Sequence, residues 1–154
     1  MAQKTFISEI LTASDVNTFL MGEGGAWTSW TPTVTQTGAV TVTNTRSRFA
    51  RYGRTIHFTT SLTVTGSGTA GAAITVSLPV TAAASLETIG QGFIFDSTAN
   101  SNFPGMAFSL TTTTMVLRPT SISNVSGNLG TFDFTAGLAV SDVIVVSGTY
   151  EAAS

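Results

Sequence analysis

Residues 55–64, TIHFTTSLTV, restrict the fold of this chain more than any other stretch. Ile56, Phe58, Thr60, Leu62 and Val64 fall on one side of an alternating pattern, and His57, Thr59, Ser61 and Thr63 on the other. Alternation sustained over ten residues fits a half-buried β-strand, because only the extended backbone turns successive side chains to opposite faces. The preceding SRFARY (47–52) alternates too, with Phe49 and Arg51 on one face and Arg48, Ala50 and Tyr52 on the other. Gly53-Arg54 between them predicts a hairpin corner.

The same style of sequence continues to the end of the chain. From Val34 to Thr45 apolar residues and threonines alternate around a turn at Thr37-Gly38. Further strands are predicted at 72–80, 88–95, 105–110, 114–119, 130–134 and 141–150, separated by Gly, Ser, Asn and Pro. Six or more strands at roughly ten-residue spacing predict an all-β domain of the β-sandwich or jelly-roll type. The chain has 154 residues, enough for one domain with a real core. Threonine is about twice as frequent as all charged residues together. It suits a pleated, half-exposed surface and supplies hydrogen bonding without charge. Only 9% of residues are charged and 42% are hydrophobic, the reverse of a disordered composition. No cysteine is present, which removes disulfides, thiol nucleophiles and thiolate metal ligands.

Residues 1–25 differ from the rest and are read as an N-terminal arm, with the β-domain spanning 26–154. Thr12 and Asp15 form a weak capping box, and Val16, Phe19 and Leu20 share a face of a helix expected from about 13 to 21. GEGG (22–25) ends it as a hinge. So short a helix is not stable alone in water and needs a surface to cover. Phe6, Ile7, Ile10, Leu11, Val16, Phe19 and Leu20 are the candidate docking residues. The arm lacks the continuous apolar region of a signal peptide. No run of about 18 apolar residues occurs anywhere in the chain, so no membrane insertion is expected.

Groups with chemical potential are sparse. His57 is a lone histidine on the threonine-bearing face, read as an exposed or interface residue. Arg46, Arg48, Arg51 and Arg54 lie within nine residues and are candidates for oligomer contacts or for an anionic ligand. Arginine pairs with carboxylates in bidentate fashion, whereas the net charge of -2 argues against a nucleic-acid partner. Asp96 and Asp133 are the acid pair a glycosidase reading would use, but neither sits in a cleft motif. The polar stretch STANSNFPG (97–105) is read as a loop, with Asn100, Asn102 and Phe103 as candidate ligand contacts. Trp27 and Trp30 flank the start of the domain. One or both are assigned to plugging one end of the core, against an alternative role as a stacking platform for a sugar. No cofactor and no catalytic or metal site is predicted.

Two segments carry a family resemblance. LTASDVNTFLM (11–21) resembles an opening found in tail-associated and fibre-like proteins of tailed bacteriophages. The body resembles a β-rich domain of the same kind of protein, through Trp30, Pro32, Val34, Phe49, Arg51, Gly53, Arg54, Ile56, Phe58 and the Ser77-Leu78-Pro79 triplet. The resemblance covers about residues 5–82 and implies a non-enzymatic virion component, commonly a homotrimer, made in the host cytoplasm. Its arm would dock on other virion proteins. Its body would be a short tail fibre or spike that touches a host surface, with a cell-surface glycan as the candidate receptor. A head fibre or capsid decoration protein is the alternative. No long shaft is read in the sequence, which turns the expectation toward a short surface knob. A carbohydrate-active enzyme using Asp96 or Asp133 is a lesser alternative, and a free-standing lectin a softer one.

Overall fold

The computed structural model describes residues 26–70, 72–119 and 137–153, and all regular structure among them is β-strand. In chain order the strands are β1 (Thr28–Ser29), β2 (Val34–Gln36), β3 (Gly38–Val40), β4 (Val42–Tyr52) and β5 (Thr55–Val64), followed by β6 (Ile74–Ser77), β7 (Thr88–Asp96), β8 (Ser101–Ser109), β9 (Thr114–Pro119) and β10 (Val143–Glu151). The expected helix, the docking residues Phe6 to Leu20, the 130–134 strand and Asp133 lie outside the described residues.

Gly53 has φ 61, the positive value that the first central position of a type II′ hairpin turn requires and that glycine adopts without a Cβ penalty. The turn pairs Tyr52 with Thr55 and, by register, Phe49 with Phe58 and Ala50 with His57. The full antiparallel order is β1-β4-β5-β10-β7-β8-β9-β6-β2-β3. This is one curled sheet; the expected sandwich forms as that sheet folds over itself around a common core. β3, at one end of the order, runs straight into β4 near the other end. Thr41 is the corner: its carbonyl accepts hydrogen bonds from Thr65 N at 2.8 Å and Gly66 N at 3.1 Å. The ends left over, β1 and β3, are two and three residues long, and short ends limit the strand edge offered to other chains.

Inward side chains from β2, β3 and β5 to β10 merge into one cluster that includes Val34, Val40, Ile56, Leu62, Ile74, Ile94, Met115, Leu117, Ile144 and Val146. Its aromatic spine is Phe58, with Trp30 edge-on at 6.2 Å and Tyr150 edge-on at 5.8 Å. Tyr150 also latches the segment after β6, since its hydroxyl donates to Val80 O at 2.6 Å and accepts from Val80 N at 3.1 Å. Beside it β7 and β10 meet across facing glycines, Gly90 opposite Gly148. A Cβ on Gly148 would strike the Ile89 carbonyl, and one on Gly92 the Val145 carbonyl. Glycine is therefore dictated by the close approach of the two backbones.

Buried polar groups hold the loops. Asp142, 1% exposed, accepts from Ser97 N and Oγ with Oδ1 and from Ala139 N with Oδ2, at 2.8 to 3.0 Å. Gln36 joins two distant loops, accepting from Leu138 N at 2.9 Å and donating to Ala72 O at 3.2 Å. Buried donors and acceptors left unpaired cost about 1–3 kcal/mol each, so these bonds fix where the loops lie.

The stretch 97–105 departs from its expected loop form. Asp96 Oδ1 caps Thr98 N and Ala99 N, both at 2.9 Å, and Asn100 takes φ 50. The corner is finished by residue 100, and β8 starts at Ser101. Asn102 and Phe103 are therefore strand residues, paired with Phe95 and Ile94, and Phe103 packs inward against the core. The strand expected over 72–80 is confined to Ile74–Ser77, because Leu78 and Val80 turn away to meet Thr113 and Tyr150.

Burial pushes the Tyr150 phenol up from 10.0 to about 12, against a smaller downward pull from its hydrogen bond at Val80. An unfolded tyrosine releases its proton near 10, while the folded one holds it to about 12. Stability from this group is therefore full below pH 10 and declines between pH 10 and 12, with a slope that stays under the roughly 1.4 kcal/mol per pH unit of one full proton and is reduced further by partial solvent screening. Denaturant titrations across that range should show the decline in the natural chain. In Tyr150→Phe the decline should be flatter, with about 1–3 kcal/mol already lost at neutral pH because Val80 loses its partner.

Candidate functional site

The outward face of the β4–β5 hairpin carries a small aromatic cradle. Antiparallel pairing sets Thr28 opposite Phe49 and Ser29 opposite Arg48, which brings Trp27 to the level of Ala50. Ala50 is opposite His57, and His57 is opposite Thr149. One row across the sheet thus reads Trp27, Ala50, His57, Thr149, with a methyl group between two rings. The result is a notch floored by Ala50 and walled by Trp27, Tyr52 and His57. Trp27 is 47% exposed and Tyr52 51%. Tyr52 stands edge-on to His57 at 5.7 Å. His57 is held from behind through Nδ1, 3.0 Å from the Thr149 hydroxyl, so Nε2 lies on the opposite edge of the ring.

The four clustered arginines are divided by strand parity and by the turn. Arg46 and Arg48 share the outward face of β4 with the cradle, paired with Ser61 and Thr59. The Arg48 guanidinium lies 4.5 Å from the centre of the Trp27 ring, a cation–π arrangement. Arg51 is committed to the hairpin corner, donating from Nε to Gly53 O at 2.8 Å. Arg54 Nε meets Glu151 at 3.1 Å and Ala152 O at 3.3 Å, so its carboxylate partner belongs to the same chain.

A second surface spans β5, β10, β7 and β8. Register places Thr59, Ser147, Gln91 and Met106 in one outward row, Ser61, Val145, Phe93 and Pro104 in the next, and Thr63, Val143, Phe95 and Asn102 in the third. None of these residues carries a charge. Phe93, Phe95, Val143 and Val145 are half-buried and lie outside the core cluster, and Met106 is 43% exposed.

The tryptophans take different roles. Trp30 plugs the core against Phe58, as the sequence predicts for one or both, whereas Trp27 stands outside it. Of the candidate loop contacts, Asn100 alone sits on the hairpin tip. Asp96 is occupied in capping that tip, and Asp142 in the loop network. Among the described residues no three His, Asp or Glu side chains converge as metal ligands would. No protein-family model, curated protein or solved structure matches the chain.

Tyr52 and the meeting of Trp27 with His57 escape a reading of single segments. The signal was nevertheless present: a two-residue turn at Gly53-Arg54 fixes Ala50 opposite His57 by counting alone. The placement of Trp27 needed the two-residue pairing of β1. Trp27→Ala should leave stability within about 1 kcal/mol of the natural chain, as surface substitutions do, while Trp30→Ala should cost about 3 kcal/mol through the cavity beside Phe58. Parallel thermal melts of the two variants measure the contrast.

Proposed function

We propose that the chain is a structural component of a tailed-bacteriophage virion, a short tail fibre or spike whose first 25 residues dock on the particle. Its β-body works by assembly and by contact with a host surface, without a reaction of its own. The resemblance carried by LTASDVNTFLM and by the Trp30 to Pro79 motifs supports the virion setting. The observation that carries the assembly reading is the uncharged outward face of β5, β10, β7 and β8. Half-buried phenylalanines and valines framed by Thr, Ser, Gln and Asn lose little polar hydration on contact and carry no charge to repel a like surface. Burial of such a face supplies about 25 cal/mol per Å² of apolar area. Homo-oligomers with closed cyclic symmetry are a common outcome, and the family resemblance favours a trimer.

Deletion of residues 1–22 should yield a folded β-body that no longer enters particles. Normal incorporation of the truncated chain would remove the docking role. Gold-labelled virions would show label at the tail tip for a fibre or spike, and label over the shell for a decoration protein.

Val145→Lys places a charge in the centre of the neutral face without touching the core. Its mass by light scattering should fall from that of an oligomer to that of one chain, which remains folded by circular dichroism but melts lower because association no longer stabilises it. An oligomer that persists through this change would locate the interface elsewhere.

A further inference from the structure

We infer that the notch walled by Trp27, Tyr52 and His57 is a saccharide subsite, and that its ligand is a sugar ring bearing an anionic group which pairs with Arg48. This deepens the host-contact reading and rests on it for the source of the ligand.

The chemistry of the notch is that of a carbohydrate contact. A pyranose ring offers a C–H face that packs on aromatic rings and a rim of hydroxyls that both donate and accept. Trp27 and Tyr52 present half-exposed rings, and one strand separates Trp27 from His57, which puts their backbones about 10 Å apart with the Ala50 methyl as the floor between them. At the rim stand the Tyr52 hydroxyl and His57 Nε2, groups able to meet hydroxyls of either sense. His57 is already oriented by Thr149, and Tyr52 packs on its edge, so few rotamers remain to be fixed on binding.

Charge selects the class of sugar. Arg48 is stacked on Trp27; its Nε is buried with no hydrogen bond among the described residues, so only the Nη end of the guanidinium is left for a ligand to meet. Arg46 stands one outward position along the same strand. The carboxylate on this side of the sheet, Glu151, is engaged by Arg54 at 3.1 Å. Two arginines therefore stand beside the notch on the same outward face of β4, one of them held against the Trp27 wall. A carboxylate on the sugar would accept from the Arg48 Nη groups, a charge-assisted contact.

The test uses the full-length protein on an array of neutral, carboxylated (uronate and sialate) and sulfated or phosphorylated saccharides, followed by calorimetry on the strongest binder. Binding confined to acidic saccharides and weakened by raised salt is the expected result. Trp27→Ala and Arg48→Gln should each weaken it by about tenfold or more, the loss of one charge-assisted contact or one stacked ring, with melting temperatures unchanged. Absence of acidic binders, equal binding of neutral sugars, or acidic binding that survives in folded Trp27→Ala would each overturn the inference. Incorporation of Trp27→Ala into particles separates the two readings. A variant that assembles normally but no longer binds acidic saccharide supports both, and a chain that binds such sugars yet enters no particle keeps the subsite and removes the virion role.

Discussion

A curled sheet needs its two ends brought together, and here the chain does that with its own backbone. β3 and β4 are one path bent at Thr41, and the corner is pinned where Thr65 and Gly66 reach back to the Thr41 carbonyl. That bend carries the chain from β3, at one end of the strand order, directly into β4, next to the other end. With it, the inward rows of nearly every strand converge on Phe58 and its aromatic neighbours. The short β1 and β3 that remain at the ends present little unpaired backbone.

Closure also explains the polar residues that the core tolerates. Loops that cross the ends of a curled sheet bury backbone groups, and each needs a partner. Gln36 and Asp142 are placed where two such loops meet, and both side chains spend their oxygens on backbone N–H groups. Ser47 and Thr60, hydrogen-bonded at 2.6 Å on buried inward positions, meet the same demand between β4 and β5. The outward surface is released from these duties. It is divided between a neutral face on β5, β10, β7 and β8 and the aromatic, cationic cradle on β4, and the two border one another along β5. A single body can thereby turn one face to its own copies and keep the other for a ligand.

How far these features were legible in the sequence depends on the range over which each is set. The β4–β5 hairpin is readable from Ser47 to Val64, because alternation fixes the faces and Gly53 fixes the turn within four residues, whereas the start of β4 at Val42 and the bulge between Asn44 and Arg46 are not. The inward set Ile56, Phe58, Thr60, Leu62 and Val64 followed from it. The 97–105 stretch reads as a loop, since Asn102, Phe103 and Pro104 look like turn residues until Phe95, Ile94 and Phe93 are placed opposite them. The arginine group looked like one patch in sequence and is two pairs in space, because parity and a corner separate Arg46 and Arg48 from Arg51 and Arg54.

What the sequence by itself determined is local: all-β character, the faces of the long strands, the hairpin corner and the neutral polar skin, all consequences of backbone geometry and side-chain type within a few residues. Tertiary structure decided which strands became neighbours, and with that the facing glycines of β7 and β10, the latch of Tyr150 on Val80, and the meeting of Trp27 with Tyr52 and His57. These contacts join residues tens of positions apart. Their partners are chosen by how the whole sheet closes, and no local pattern of residues carries that information.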